Sequence, residues 1–96
     1  MRSIEVLNDG PHEHDLTIVR LEAAGSVARA MDWLDNPEGV AAPGTAVGGT
    51  VGFGPGGRAL VTIVVTSGRY ALLCWVPDDS GKAHYRRGMV REYTVQ

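Results

Sequence analysis

Residues 59–66, Ala-Leu-Val-Thr-Ile-Val-Val-Thr, are the most β-prone run in the chain, and a second run, Arg69-Tyr-Ala-Leu-Leu-Cys-Trp-Val76, follows after Ser67-Gly68. β-branched and aromatic side chains suit a pleated, packed surface. A two-residue turn carrying glycine between two such runs predicts a β-hairpin. In the second run Tyr70, Leu72, Cys74 and Val76 alternate onto one face, while Ala71, Leu73 and Trp75 take the other. Both faces are apolar, so this strand belongs in the middle of a layer that is covered on each side.

Few other segments can supply the cover. Ser3 to Asn8 alternates as a strand, with Ile4 and Val6 on one face, and Asn8-Asp9-Gly10-Pro11 ends it as a turn. His14 to Leu21 reads as the next strand and places His14, Leu16 and Ile18 on one side, with His14 at the strand's mouth. From Ser26 to Asp35 the apolar spacing becomes helical, with Val27, Ala30, Met31 and Leu34 at i, i+3, i+4 and i+7, Ser26 as N-cap and Asn36-Pro37 as the stop. A helix this short is marginal in isolation, so it is expected to lie against a sheet, with Trp33 at the edge of the contact. Met89 to Val95 alternates as the last strand.

Residues 39–57 hold eight of the 13 glycines, and Gly52-Phe-Gly-Pro-Gly-Gly57 matches G-x-G-x-x-G. A dinucleotide fingerprint leaves a strand and opens a helix, whereas a strand pattern follows here at Ala59. The stretch is expected to be a turn-rich connection with one short strand near Thr50 and Val51. No Gly-Lys-Ser/Thr triplet occurs, which excludes a phosphate-binding P-loop. Strands greatly outnumber helices, so the class is mainly β, a sandwich. At 96 residues the chain is expected to form a single domain over 1–96, burying roughly 60–70% of the surface its unfolded form exposes.

The net charge of −2 gives no global field for nucleic acid. Residues 41–96 nevertheless carry six basic and three acidic groups, against three and eight in residues 1–40. One cysteine makes no internal disulfide and leaves a free thiol to explain. No apolar run reaches the roughly 18 residues of a membrane helix, and Met-Arg-Ser-Ile-Glu-Val-Leu-Asn lacks the apolar core of a signal peptide. As written, the chain is expected to be soluble and untargeted. Met1 also begins almost inside the first strand, from which we expect upstream sequence to be missing.

Cys74 to Met89 concentrates the chemistry: a thiolate, the His84 imidazole and the Met89 thioether lie within one loop. These are the ligands copper prefers in an electron-transfer site, given a second imidazole from elsewhere. His14 is that candidate by strand parity, with His12 in the adjacent turn as the alternative. His12 and His14 also suit a weak surface zinc site with Glu13 or Asp15. Taken singly, Cys74 on an apolar face is a small buried hydrophobe and Met89 a core residue. Nucleophilic use of Cys74 with His84 lacks a third orienting group.

Gly68-x-Tyr70-x-x-x-Cys74, followed by Pro77, His84 and Gly88-Met89 before a final strand, resembles the cupredoxins, blue copper proteins of the plastocyanin and azurin type. Asn8-Asp-Gly-Pro-His-Glu-His14-Asp-Leu is similar to the segment in which those proteins end one strand with asparagine and open the next with the first copper ligand. The resemblance spans nearly the whole chain. It implies a cupredoxin-like Greek-key β-sandwich lacking the first one or two strands, with a helix-bearing insertion at about 22–57. It further implies one type 1-like copper ion held by His14, Cys74, His84 and Met89, with Asn8 tying the two ligand loops together by hydrogen bonds. The function implied is single-electron transfer or copper carriage, with no enzymatic bond chemistry, in an extracytoplasmic setting, periplasmic or secreted. The alternative is a metal-free β-sandwich interaction module with a degenerate copper site. Arg86, Arg87 and Arg91, with Lys82, form either a docking surface for an acidic redox partner or a solvated rim. The short N-terminus leaves a sheet edge open to self-association.

Overall fold

The β-prone run between 59 and 76 does not fold as a hairpin. In the computed structural model, which describes residues 2–96, its two halves lie in different sheets. Strand β1 (Arg2–Leu7) pairs antiparallel with β4 (Arg58–Ile63) in a two-stranded sheet. Strands β2 (His14–Leu21), β3 (Gly44–Phe53), β5 (Gly68–Leu73) and β6 (Val90–Val95) form an antiparallel sheet in the order β3-β2-β5-β6. The reason lies in the two apolar faces of β5. Tyr70 packs with Ile18, Val61 and Ile63 between the sheets, while Ala71 and Leu73 pack with Val19, Leu21 and Ala30 on the opposite face. A strand with two such faces is stable in the middle of the larger sheet, paired on both edges with β2 and β6. Residues 64–67 therefore cross between layers instead of turning. Tyr70 holds this crossing by donating its hydroxyl to the Thr66 carbonyl, at 2.8 Å, and accepting from the Thr66 N–H, at 3.0 Å. Arg20 donates to the Thr66 hydroxyl and the Ser67 carbonyl.

The outer face of the larger sheet is covered by helix α1 (Val27–Asp35). Ser26 caps it, its hydroxyl accepting from the Arg29 N–H at 3.1 Å. Ala30 is fully buried, and Val27, Met31, Trp33 and Leu34 pack around the same core. The architecture is thus helix, four-stranded sheet, two-stranded sheet, with two apolar cores separated by β2 and β5.

The glycine-rich stretch is a correction too, since residues 44–53 make a ten-residue strand and not a turn-rich connection. Glycine in a strand marks a close backbone approach. A Cβ on Gly48 would stand 2.6 Å from Ile63 Cγ2, so its absence lets β4 close down on β3. Propensity alone reads such glycines as breakers.

A polar network joins α1 to a 3₁₀ helix at His84–Arg87. Buried Tyr85 donates its hydroxyl to Asp35 Oδ1 at 2.5 Å, and Arg86 donates to both Asp35 and Asp32. Burial, then the Asp35 carboxylate, pushes the Tyr85 hydroxyl up to about 12. The Tyr85 hydroxyl and then Arg86 hold the Asp35 carboxyl below the usual carboxylate range. A depressed carboxylate contributes stability that is present above its unfolded pKa and lost as pH falls through the folded value. Asp35 is 45% exposed, which screens the pair, so Asp35→Asn is expected to cost about 1 kcal/mol at neutral pH. The thermal midpoint should fall by roughly 4–8 °C at pH 7, and the difference from wild type should close in acid. Melting curves of both proteins across that range check this, and a gap unchanged by acid would remove the ionic explanation.

Candidate metal centre

Strand register brings the first two candidates together. Thr17 lies opposite Leu73 in the β2–β5 pair, and continuing that register sets Leu16 against Cys74. His14 follows on the same face, because side chains alternate with a period of two. The shared face is the inner one, where Leu16, Ile18, Tyr70 and Leu72 lie. Cys74 Sγ is 3.6 Å from His14 Nδ1.

His84 arrives by a longer route. Nine residues separate it from Cys74, and most of them fold back on themselves. Pro77 bridges to Ala83, and the Asp78 carboxylate accepts from the Ser80 N–H, the Ser80 hydroxyl and the Lys82 N–H. Arg87 donates to the other Asp78 oxygen at 2.8 Å. Donors from Ser80, then Lys82, hold that carboxyl far below its ordinary range. The closed excursion returns the chain beside Cys74, where the His84 N–H donates to the Val76 carbonyl at 3.0 Å and the Tyr85 N–H to the Cys74 carbonyl at 2.8 Å. His84 Nδ1 then lies 3.9 Å from Cys74 Sγ, and one ligand atom from each of His14, Cys74 and His84 falls within 4.8 Å of the others.

These separations fit a single ion. Metal–nitrogen bonds of about 2.0 Å and metal–sulfur bonds of about 2.3 Å, spread at trigonal angles, place nitrogen and sulfur roughly 3.7 Å apart. The observed 3.6 and 3.9 Å bracket that value. The donor set itself, two imidazoles and one thiolate, is that of a trigonal copper site. Two members of the cluster have shifted acidities. Burial pushes the Cys74 thiol up, and burial followed by the neighbouring His84 and His12 rings pulls His14 down.

Met89 is placed differently. Its backbone closes the loop, the N–H donating to the His84 carbonyl and the carbonyl accepting from the Cys74 N–H. This turn needs Gly88 at φ +97°, a conformation that glycine adopts without a Cβ clash. The side chain is 40% exposed and lines a cavity shared with His14 and Cys74. His12 stays outside the cluster, exposed, with its ring 6.4 Å from that of His84 and inclined to it by 29°.

Asn8 does not bridge the two ligand segments. It is buried and donates to the His12 and Phe53 carbonyls, both at 2.8 Å, while accepting from the Gly10 N–H, so it fixes the turn before His14. The bridge is made by Asp15, whose Oδ1 accepts from the Trp75 N–H at 2.7 Å. Sequence reasoning missed it. Local pattern carried no signal for it, because Asp15 meets Trp75 only through the β2–β5 register, which the structure supplies by continuing the pairing of Thr17 with Leu73. Of the arginines expected at a docking rim, Arg86 is paired with Asp32 and Asp35, and Arg87 with Asp78. Arg91 alone of the three has no ion pair among the described residues.

No protein-family model matches the chain, and no curated protein is similar to it in sequence. In structure it is similar to auracyanin from the photosynthetic bacterium Roseiflexus castenholzii, crystallised in a dithionite-reduced state. The TM-score is 0.66 and the identity 24%, over 99% of this chain and 78% of that one. Auracyanin is a cupredoxin. Six strands in two antiparallel sheets and one short helix among the described residues, together with this likeness, give the chain the cupredoxin fold.

Proposed function

We propose that the protein binds one copper ion through His14, Cys74 and His84, with Met89 as a weak axial donor, and passes single electrons or carries copper. The observation that carries this reading is the approach of the three donor atoms to within 4.8 Å of one another on a hydrogen-bonded frame. Bound copper would supply a one-electron couple. The chain's own contribution is to hold the donors still. His14 is fixed by the β2 register, Cys74 by backbone bonds to Met89 and Tyr85, and His84 by its bond to Val76. Ligands held in this way change little between oxidation states, which lowers the barrier to electron exchange. No covalent step on a substrate is required, so the protein is not an enzyme on this reading. An acidic redox partner near Arg91 and a location outside the cytoplasm belong to the same proposal. Among the described residues no helix is long and apolar enough to cross a membrane.

Adding Cu(II) to the metal-free protein should produce intense visible absorption from thiolate-to-copper charge transfer, and Cys74→Ser should abolish it. A colourless wild type would end the type 1 reading. Binding to the native state must also raise its stability, by about 2.7 kcal/mol when free copper is 100 times the Kd. The thermal midpoint should therefore rise by roughly 10 °C or more, and His14→Ala should remove most of that rise. An unchanged midpoint with copper would favour the metal-free interaction module.

Acidity provides a third check. Copper takes the thiolate, whereas the metal-free pocket holds Cys74 as a thiol with its pKa raised by burial. Binding therefore releases a proton from Cys74. Apparent affinity should increase roughly tenfold per pH unit below the thiol pKa, measured by competition with a chelator of known affinity. An affinity flat with pH would mean that the thiol is not a ligand.

A further inference from the structure

The two sheets stand apart on the side where β1 faces β6. Near the donor cluster the gap is a cavity of about 540 Å³, with Leu7 from β1 on one wall and Leu72 and Val90 on the other. His14, Cys74 and Met89 also line it, so the cavity reaches the side chains proposed to hold copper. Leu7 and Met89 are exposed at 55% and 40%, which places them at an open mouth and not under a lid. A second cavity continues the gap toward the far end of the sandwich, and Leu72 lines both.

Size and lining narrow what the first cavity suits. Its volume falls within the roughly 300–1,000 Å³ of small-molecule sites, which combine apolar walls with a few convergent polar groups. Its charged residues are Asp9, Asp15 and Arg91, two carboxylates against one guanidinium, so an anion gains little there. An uncharged apolar body gains by leaving water. Met89 does not seal this side, and a long axial thioether contact is in any case a weak one.

We propose that this cavity is a binding site for a small uncharged molecule with an apolar body and one nitrogen or sulfur donor, which enters beside Leu7 with its donor atom toward His14 and Cys74. The approach of that donor to a metal rests on the copper reading; the cavity itself belongs to the metal-free protein as well. The site would give the centre an open face for an exogenous ligand, in addition to outer-sphere electron exchange.

Pyridine, neutral above its acidic pKa, is a suitable probe. In the metal-free protein it should give saturable methyl NMR shifts at Leu7, Leu16, Leu72 and Val90, and Leu7→Trp, which fills the mouth from an exposed position, should weaken binding at least tenfold. In the copper-loaded protein pyridine should move the visible absorption bands, with azide at equal concentration moving them less. Absence of saturable shifts in the metal-free protein overturns the site whatever copper does, as does equal binding to Leu7→Trp. Saturable shifts with unmoved copper bands overturn the open face. A protein that never colours with copper defeats the copper reading alone, and the metal-free titration still decides the cavity.

Discussion

Four backbone hydrogen bonds hold the centre together: His84 N–H to Val76, Tyr85 N–H to Cys74, Cys74 N–H to Met89, and Met89 N–H to His84. They convert a long excursion in sequence into a short one in space. Everything between Pro77 and Ala83 is then a closed appendage, stapled by the Asp78 carboxylate and Arg87, whose length does not change where His84 sits. Loop length costs little once the ends are fixed, since closure entropy grows only slowly with added residues. The sixteen residues from Cys74 to Met89 therefore behave as an anchored unit, and not as a flexible strap bearing a histidine.

That unit is anchored at both ends to β5 and β6, and β5 is the strand most deeply enclosed. It carries Tyr70 and Leu72 toward the smaller sheet, and Ala71 and Leu73 toward α1. Cys74 follows directly, so its position inherits the rigidity of a strand packed on both faces. The helix contributes a second constraint through Asp35, Tyr85 and Arg86, which tie it to the turn bearing His84. Arg86 and Arg87, expected at a docking rim, are committed to internal pairing. Stabilising the loop and attracting an acidic partner compete for the same guanidinium groups, and here Arg86 and Arg87 stabilise the loop.

Alternation carried most of what was legible in the sequence. The faces of β2 and β5, the N-cap at Ser26 and the apolar stripe of α1 follow from periodicity of 2 and 3.6, and the structure has them. The hairpin and the glycine-rich connection failed for reasons that local pattern cannot reveal. Whether β4 pairs with β5 or crosses to β1 depends on which apolar faces the rest of the chain can cover, and whether Gly48 breaks a strand or admits Ile63 depends on the opposing sheet. At the centre, residue types and parity singled out His14, Cys74 and His84, which the fold brings together. The family resemblance assigned bridging to Asn8, but side-chain reach favours Asp15, which needs only to accept from the strand directly opposite.

The protein's own frame brings the three donor atoms within 4.8 Å of one another, and this bears on how the protein would handle metal. Small metal domains that lack a core fold only when the ion binds, so binding and folding are one event. Here two apolar cores and the anchored loop hold the frame, and burial disfavours the charged forms of Cys74 and His14. On the copper reading such a site would need little reorganisation to accept an ion, and Cys74 would give up its proton in doing so. A preformed and partly open cluster would suit a centre that gains and loses its ion or its electron without unfolding.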